Sequence, residues 1–97
     1  MDAAQPPIKP IDPPPAIYDR AYKGKLIIRQ GTLAQVAHFC NTQNGVVSRY
    51  RVLGCSMPND HSCFVMIPRV GGRVTASIQA QIRRHEVAHC NGWDHSH

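Results

Sequence analysis

The spacing of apolar residues in the first half of the chain predicts a strand followed by a helix. Lys25–Gln30 carries three consecutive large apolar side chains, which is typical of a short buried strand. From Leu33 onward, apolar residues recur at i, i+3, i+4 and i+7, and this period predicts an amphipathic helix over Thr32–Thr42. We expect Thr32 to cap that helix, because a threonine hydroxyl can accept a hydrogen bond from an N–H of the first turn.

The middle of the chain changes to a period of two. Val46–Leu53 alternates between two faces and is predicted to be a strand with one face partly exposed to water. Gly54–Ser62 is predicted to be a loop because of its proline, asparagine and aspartate. Cys63–Ile67 is a second apolar run, and we expect a strand that ends at Pro68.

A second helix is predicted at the C-terminal end. It is expected to begin near Thr75 or Ser77, either of which can cap it. Four residues spaced by four, three and four positions share one face of this helix: Ile78, Ile82, His85 and His89. The face that carries the two histidines is therefore also the face that packs on the core. The order strand, helix, strand, strand, helix predicts an α+β fold with about three strands and two helices.

The composition predicts a tail and one domain. Residues 1–20 are expected to form a flexible tail, because six prolines fall within Met1–Ala16. Residues 21–97 are expected to form a single small domain, since a hydrophobic content of 42% is typical of globular chains. The tail lacks the apolar segment of a signal peptide, and no apolar run is long enough for a transmembrane helix.

The net charge of +5 comes from basic residues that are scattered along the chain. Scattered charges indicate an ordinary solvated surface and give no firm evidence for binding to nucleic acid. We expect a monomer.

A motif near the C-terminus, H-E-x-x-H-x-x-G-x-x-H, carries the candidate chemistry. Residues four apart lie on one helix face, so His85 and His89 can bind the same metal ion. Glu86, the only glutamate in the chain, lies about 100° around the helix and can reach a water on that metal. Gly92 can adopt positive φ, end the helix and return His95 as a third ligand. Three imidazoles with one open position fit a catalytic zinc site, because a structural site is normally closed by a fourth protein ligand.

This motif resembles the signature of the metzincin zinc peptidases. The resemblance implies Zn²⁺ as the cofactor, with His85, His89 and His95 as its ligands. It implies that Glu86 is the catalytic general base and that Gly92 forms the turn. The expected function is hydrolysis of a polypeptide or peptide substrate by a zinc-activated water. The expected fold is a small zincin-like domain, with a twisted sheet and one backing helix above a C-terminal active-site helix.

Three further details bear on the resemblance. Ser96, directly after the third histidine, is similar to the matrixin-type variant of the motif. Metzincins place a methionine turn downstream of the third ligand, whereas Met57 and Met66 both lie upstream of it. The expectation is therefore a pared-down domain or a sequence that has lost its C-terminal part. Trp93 is expected either to pack under the ligand turn or to serve as an ordinary core anchor.

The resemblance also suggests where a substrate lies. In metzincins the strand before the active-site helix is the sheet edge that pairs with an extended peptide. Here that strand is Cys63–Ile67, so Phe64, Val65 and Met66 are the predicted substrate-binding residues. The alternative is an ordinary core strand.

Two other functions fit the same residues. One is a zinc amidase that acts on cell-wall peptide stems, which the H-E-x-x-H chemistry equally allows. The other is a basic binding module with a zinc ion that is not catalytic. A binding module would tolerate replacement of Glu86 by glutamine, whereas a peptidase would not.

Four cysteines permit two disulfides in three pairings. Cys55 and Cys63 flank a short polar segment and are expected to pair, because a small domain gains stability from such a link. The alternative is that all four thiols are reduced and act as small hydrophobic residues. The even count favours an extracytoplasmic or secreted location.

Overall fold

The computed structural model describes residue 8, residues 11–44 and residues 53–94. Five elements follow one another along the chain: β1 (Lys25–Gly31), α1 (Leu33–Asn44), β2 (Cys55–Pro58), β3 (Ser62–Pro68) and α2 (Ala76–Cys90). The predicted α+β fold with three strands and two helices is thus confirmed. None of the helices in the described part of the chain is long and apolar enough to cross a membrane.

The three strands form one mixed sheet in the order β1-β3-β2. Strand β1 pairs with β3 in parallel, with Leu26 opposite Cys63 and Ile28 opposite Val65. Strand β2 pairs with β3 antiparallel, with Ser56 also opposite Val65. A parallel pair needs a long crossover connection, and helix α1 lies in that connection.

Three of the predicted elements are confirmed, with ends that differ from the prediction by one or two residues. The strand predicted over Lys25–Gln30 is β1, and the strand predicted over Cys63–Ile67 is β3. The predicted helix Thr32–Thr42 is α1, and its cap is formed as expected, because Thr32 Oγ1 accepts a hydrogen bond from the N–H of Gln35 at 3.1 Å.

The segment before β3 differs from the prediction. Of the predicted strand Val46–Leu53, residues 46–52 lie outside the described residues, and Leu53 is not in a strand. The loop predicted over Gly54–Ser62 is wrong in its first half, which forms β2. Pro58 was one reason for predicting a loop, together with Asn59 and Asp60, but it is the last residue of a strand at the sheet edge. At that place a missing N–H costs little.

The helices cover opposite faces of the sheet, because side chains alternate along β3. Cys63, Val65 and Ile67 point towards α2 and form a buried cluster with Ile82 and Cys90. On the other face, Met66 packs on a second cluster that belongs to α1 and β2: Val36, Cys40 and Cys55. The Phe39 and Phe64 rings also meet on that face, with centroids 5.6 Å apart.

Two disulfides join the layers. Cys40–Cys55 links α1 to β2, and Cys63–Cys90 links β3 to α2. The predicted Cys55–Cys63 bridge is wrong, because these two side chains belong to clusters on opposite faces of the sheet. Each disulfide therefore fixes one helix to the sheet, and the pair is compatible with an extracytoplasmic location.

The proline content predicts a flexible tail over residues 1–20. In the structure, the described residues 11–22 lie against α2. Ile11 packs against the cluster beneath α2, and Pro14 is buried. The side-chain amide of Asn91 donates hydrogen bonds to the carbonyl oxygens of Tyr18 and Arg20, at 3.1 and 2.7 Å. The described part of this segment is thus anchored to the C-terminal part of α2 and to its cap.

Candidate metal centre

The ends of α2 are set by local sequence. Thr75 caps its first turn, and Thr75 Oγ1 accepts a hydrogen bond from the Ile78 N–H at 3.1 Å. At the other end Gly92 has φ +107°, the left-handed region that favours glycine. The Gly92 N–H donates a hydrogen bond to the carbonyl oxygen of His89, and the Trp93 N–H donates one to the carbonyl oxygen of Ala88, both at 3.1 Å. These two bonds form a Schellman motif, which ends the helix and folds the chain back.

That reversal is the helix end predicted for Gly92, and it brings Trp93 against the helix. His95, the third predicted ligand, and Ser96 lie outside the described residues. Within residues 11–44 and 53–94, no group of three or more histidine, cysteine, aspartate or glutamate side chains could hold a metal ion. The described part of the candidate centre therefore consists of the first two predicted ligands, His85 and His89, and their surroundings.

The predicted ligands His85 and His89 face each other one helical turn apart. Their Nε2 atoms are 3.2 Å apart, and their ring centroids are 4.9 Å apart at an angle of 70°. Both side chains are half-buried, so this pair lies at the surface of the core rather than inside it.

The other ring nitrogen of each histidine contacts a backbone carbonyl oxygen. His85 Nδ1 lies 2.9 Å from the carbonyl oxygen of Asp12, and His89 Nδ1 lies 2.6 Å from that of Trp93. A carbonyl oxygen can only accept a hydrogen bond, so each Nδ1 carries the proton. In the neutral rings each Nε2 then presents a lone pair, which is the atom a metal binds.

This arrangement fits zinc. Two nitrogens that each lie about 2.0–2.1 Å from a tetrahedral zinc are about 3.3 Å apart, from the bond length and the tetrahedral angle. The observed separation of the two Nε2 atoms is 3.2 Å. Two lone pairs facing each other at this distance repel unless a positive charge lies between them. The donor set and its geometry therefore suit a cation in this position.

Glu86, the predicted general base, is 6% exposed and is the only buried polar or charged residue in the described part of the chain. Its carboxylate Oε1 accepts a hydrogen bond from Ser56 Oγ at 2.8 Å. The same hydroxyl lies 2.6 Å from the backbone carbonyl oxygen of Glu86. Such partners are needed here, because burying a carboxylate without hydrogen bonds is costly.

Gly54 provides the space in which Glu86 lies. A Cβ at Gly54 would come within 3.2 Å of Glu86 Oε2, 3.1 Å of Ile82 Cγ2 and 3.0 Å of the carbonyl oxygen of Met66. All three contacts are tighter than ordinary packing, so a side chain at this position would have to displace one of these groups. The glycine thus permits the close approach of β2 to α2.

The predicted substrate-binding strand is not where the resemblance places it. Strand β3, with Phe64, Val65 and Met66, is the central strand, and its residues 63–66 pair on both sides. The assignment of this strand to the sheet edge is wrong, because β2 pairs beyond it. Val65 is also fully buried, whereas Phe64 and Met66 are half-buried on the α1 side of the sheet. The edge next to α2 is β2.

Sequence reasoning missed two groups that contact the predicted site residues: the carbonyl of Asp12 and the hydroxyl of Ser56. Asp12 lies 73 positions from its partner His85, and Ser56 lies 30 positions from Glu86. A backbone carbonyl leaves no trace in a side-chain pattern, and Ser56 fell within a segment predicted to be a loop. No local signal pointed to either group.

We compared the chain with protein family models, curated proteins and solved structures. No protein family model, no curated protein and no solved structure matches this chain.

Proposed function

We propose that this protein is a zinc-dependent peptidase in which His85, His89 and His95 bind the metal and Glu86 is the general base. One observation carries the proposal. The Nε2 atoms of His85 and His89 face each other at 3.2 Å while both Nδ1 atoms donate to backbone carbonyls. Oriented rings of this kind, each with its outer nitrogen held by a carbonyl, are typical of metal-binding histidines.

The state of the cysteines supports a catalytic rather than a structural zinc. All four are in disulfides, so none is a free thiol. Structural zinc sites commonly complete a set of four protein ligands with thiolates, and here no thiolate is available. An open fourth position for water is what a hydrolytic site needs.

The chemistry that zinc supplies when bound is a lowered pKa of water, to about 7, and polarisation of the carbonyl under attack. The protein's own contribution is the handling of the proton. Glu86 accepts the proton of the attacking water and later donates it to the leaving amine. Ser56 holds the carboxylate in place by its hydrogen bond to Oε1, and burial against β2 shields Glu86 from bulk water.

We also assign the substrate to the edge of β2 rather than to β3. Strand β2 lies against α2 at Glu86, and in the described part of the chain it pairs only with β3. An extended peptide that adds to this edge would run past the histidine pair, and backbone hydrogen bonds would hold it there. The disulfides favour action on substrates outside the cytoplasm.

The test combines metal analysis with peptide-library cleavage by the wild type, Glu86→Gln and Asp60→Asn. Glutamine keeps an oxygen that can accept from Ser56, so Glu86→Gln preserves the fold while removing the proton acceptor. Asp60→Asn makes the same carboxylate-to-amide change in an exposed turn and is the matched control. We expect zinc in all three proteins and a loss of cleavage, of about 100-fold or more, in Glu86→Gln alone.

Three results would contradict the proposal. Absence of zinc from the wild type would remove the metal centre. Zinc without cleavage of any protein-derived peptide, but with cleavage of cell-wall stem peptides, would make the protein an amidase. Full activity of Glu86→Gln would show that the zinc is not used for hydrolysis by this glutamate.

A further inference from the structure

Trp93 contacts both histidines of the candidate centre. Its indole ring stacks on His89, with centroids 4.8 Å apart and planes 10° apart. The same indole meets the edge of His85, with centroids 4.8 Å apart at 63°. Together with the contact between the two imidazoles, this makes a closed group of three rings.

The backbone of Trp93 contacts the same group. Its carbonyl oxygen accepts the hydrogen bond from His89 Nδ1 at 2.6 Å, and its N–H donates to Ala88 at 3.1 Å. The position of the indole is therefore set by the turn at Gly92, which ends α2 and returns the chain over the two rings.

The surroundings of Trp93 differ from those of a core anchor. The side chain is half-buried and belongs to neither of the two buried apolar clusters in the described residues. The two aromatic rings that contact its indole in this part of the chain are the imidazoles of His85 and His89. A tryptophan that only stabilised the fold would be expected to pack among aliphatic side chains, where its large area is removed from water.

We propose that the Trp93 indole is a positioning group of the metal centre, which acts beside the backbone carbonyls of Asp12 and Trp93 to hold both imidazoles in the rotamers that bring their Nε2 atoms together. An imidazole on a helix surface rotates about its last torsion, and metal binding must then stop that rotation. The indole restricts the rotation in advance, so the ion meets a prearranged pair. This inference rests on the proposed function, because it assumes that the pair binds zinc.

The test measures zinc affinity by competition with a chromophoric chelator in three variants. Trp93→Leu removes the aromatic face but keeps apolar bulk and the backbone carbonyl, while Trp93→Phe keeps an aromatic face. Tyr22→Leu is the matched control, since this aromatic residue packs on the cluster beneath α2. Each aromatic contact is worth roughly 3- to 10-fold, so we expect zinc binding to weaken about 10- to 100-fold in Trp93→Leu. Trp93→Phe should retain most of the affinity, and Tyr22→Leu should lower stability without changing affinity.

A second readout does not depend on mutation. Trp93 is the only tryptophan in the chain, so the intrinsic emission of the protein reports on this position alone. Cobalt(II) added to the metal-free wild type should quench the emission with one saturating phase, and zinc should compete with that quenching. Neither effect is expected for a tryptophan remote from the metal.

The outcomes separate the inference from the proposed function. If the wild type binds zinc and Trp93→Leu binds it equally well once folded, the positioning role is overturned and the peptidase proposal stands. If cobalt binds without changing the emission, the positioning role is also overturned. If the wild type binds no metal, both fail. Should Trp93→Leu not fold, Trp93→Phe and the cobalt titration decide the question.

Discussion

Ser56 Oγ lies 2.8 Å from Oε1 of Glu86 and 2.6 Å from the backbone carbonyl oxygen of the same residue. A hydroxyl has one proton to donate, so these two acceptors share it while the carboxylate is ionised. When Glu86 takes up a proton, its own O–H can donate to Ser56 Oγ, and the serine proton then serves the backbone carbonyl alone. Ser56 therefore suits a glutamate that gains and loses a proton during a reaction.

Replacement of Ser56 by alanine should lower turnover while leaving the zinc content unchanged. Hydrogen bonds to charged groups contribute about 1.5–3 kcal/mol, so we expect kcat to fall about 10- to 100-fold on the best-cleaved peptide of a library. Zinc content should be unaffected, because Ser56 contacts Glu86, the proposed general base, rather than the proposed histidine ligands. Steady-state kinetics and metal analysis on the same protein sample check both statements.

The matched control for this prediction is Ser62→Ala. Ser62 is a half-buried serine of the same sheet, and it accepts a hydrogen bond from the Asn59 N–H through its backbone carbonyl, which the substitution keeps. The Ser62→Ala variant should retain wild-type turnover. Equal losses in Ser56→Ala and Ser62→Ala would mean that the effect is a general weakening of the sheet.

Addition of a methyl group at Gly54 should damage both stability and activity. The new Cβ would crowd Glu86, Ile82 and the carbonyl of Met66 at 3.0–3.2 Å. Overpacking of this kind costs about 1–3 kcal/mol, and the Glu86 carboxylate is one of the three groups that the new methyl group crowds. We expect Gly54→Ala to lower the free energy of unfolding by that amount, measured in urea, and to reduce peptide cleavage beyond what the unfolded fraction explains.

Gly72→Ala separates crowding from backbone strain. Gly72 has φ +54°, but a Cβ there would meet no atom within 4 Å. Its replacement should cost about 1 kcal/mol of stability from the left-handed backbone and leave cleavage by the folded protein intact. Similar activity losses at both glycines would argue against the role given to Gly54.

The disulfide pairing can be read from a non-reducing peptide map. Cyanogen bromide cleaves after Met57 and so separates Cys55 from Cys63, which trypsin alone leaves on one peptide. We expect the Cys55 peptide joined to the Cys40 peptide, and the Cys63 peptide joined to the Cys90 peptide. A direct link between the Cys55 and Cys63 peptides would contradict the described fold.

Removal of either disulfide should destabilise the domain, but only one should affect the metal. The loop-closure entropy predicts that Cys63–Cys90, with a separation of 27 residues, stabilises the fold by about 3.5 kcal/mol. For Cys40–Cys55, with a separation of 15 residues, the predicted stabilisation is about 3 kcal/mol. Alanine at both Cys63 and Cys90 should also weaken zinc binding, because this link fixes the C-terminal end of α2 next to His89. Alanine at Cys40 and Cys55 serves as the control on the α1 side. Urea unfolding and chelator competition measure the two effects.

Asp19 and Arg84 should make a small pH-dependent contribution to stability. The hydrogen bond from the Arg84 guanidinium lowers the pKa of the Asp19 carboxyl, against a smaller opposing effect of desolvation. A lowered pKa in the folded state means that the contribution is present above the ordinary aspartate range. It is lost as the pH falls through the folded-state pKa. The effect should be small because the pair is exposed and screened by water and salt.

The measurement is the difference in melting temperature between the wild type and Asp19→Asn as a function of pH. The wild type should be the more stable protein near neutral pH, and the difference should shrink as the pH falls below the ordinary aspartate pKa and vanish below the lowered folded-state pKa. High salt should reduce it at every pH. A difference that grows as the pH falls would contradict the assigned direction of the pKa shift.

Local patterns were enough to predict the helices and the arrangement of the histidines. The caps at Thr32 and Thr75 depend only on residues within one turn, and both are formed. The four-residue spacing of His85 and His89 places them on one face of any α-helix, and the structure brings their Nε2 atoms together. The same holds for Gly92, whose positive φ ends α2.

Strand order and disulfide pairing could not be predicted from such local patterns. The sequence of β3 is an apolar run, and such a run is compatible with either an edge strand or a central strand. Only its pairing with β1 and β2 shows that β3 is central. The short separation of Cys55 and Cys63 suggested a bridge, but the side chains point to opposite faces once β2 and β3 are antiparallel neighbours.

The sequence by itself therefore determined a small α+β fold and a helix that displays two histidines and a glutamate in the order a metal site requires. It could do so because helix geometry is fixed over four residues. Only the tertiary structure decided which groups hold those side chains: the carbonyl of Asp12 on His85 and the hydroxyl of Ser56 on Glu86. These partners are separated by 73 and 30 positions, and contacts at such separations arise from how the whole chain packs rather than from any local pattern.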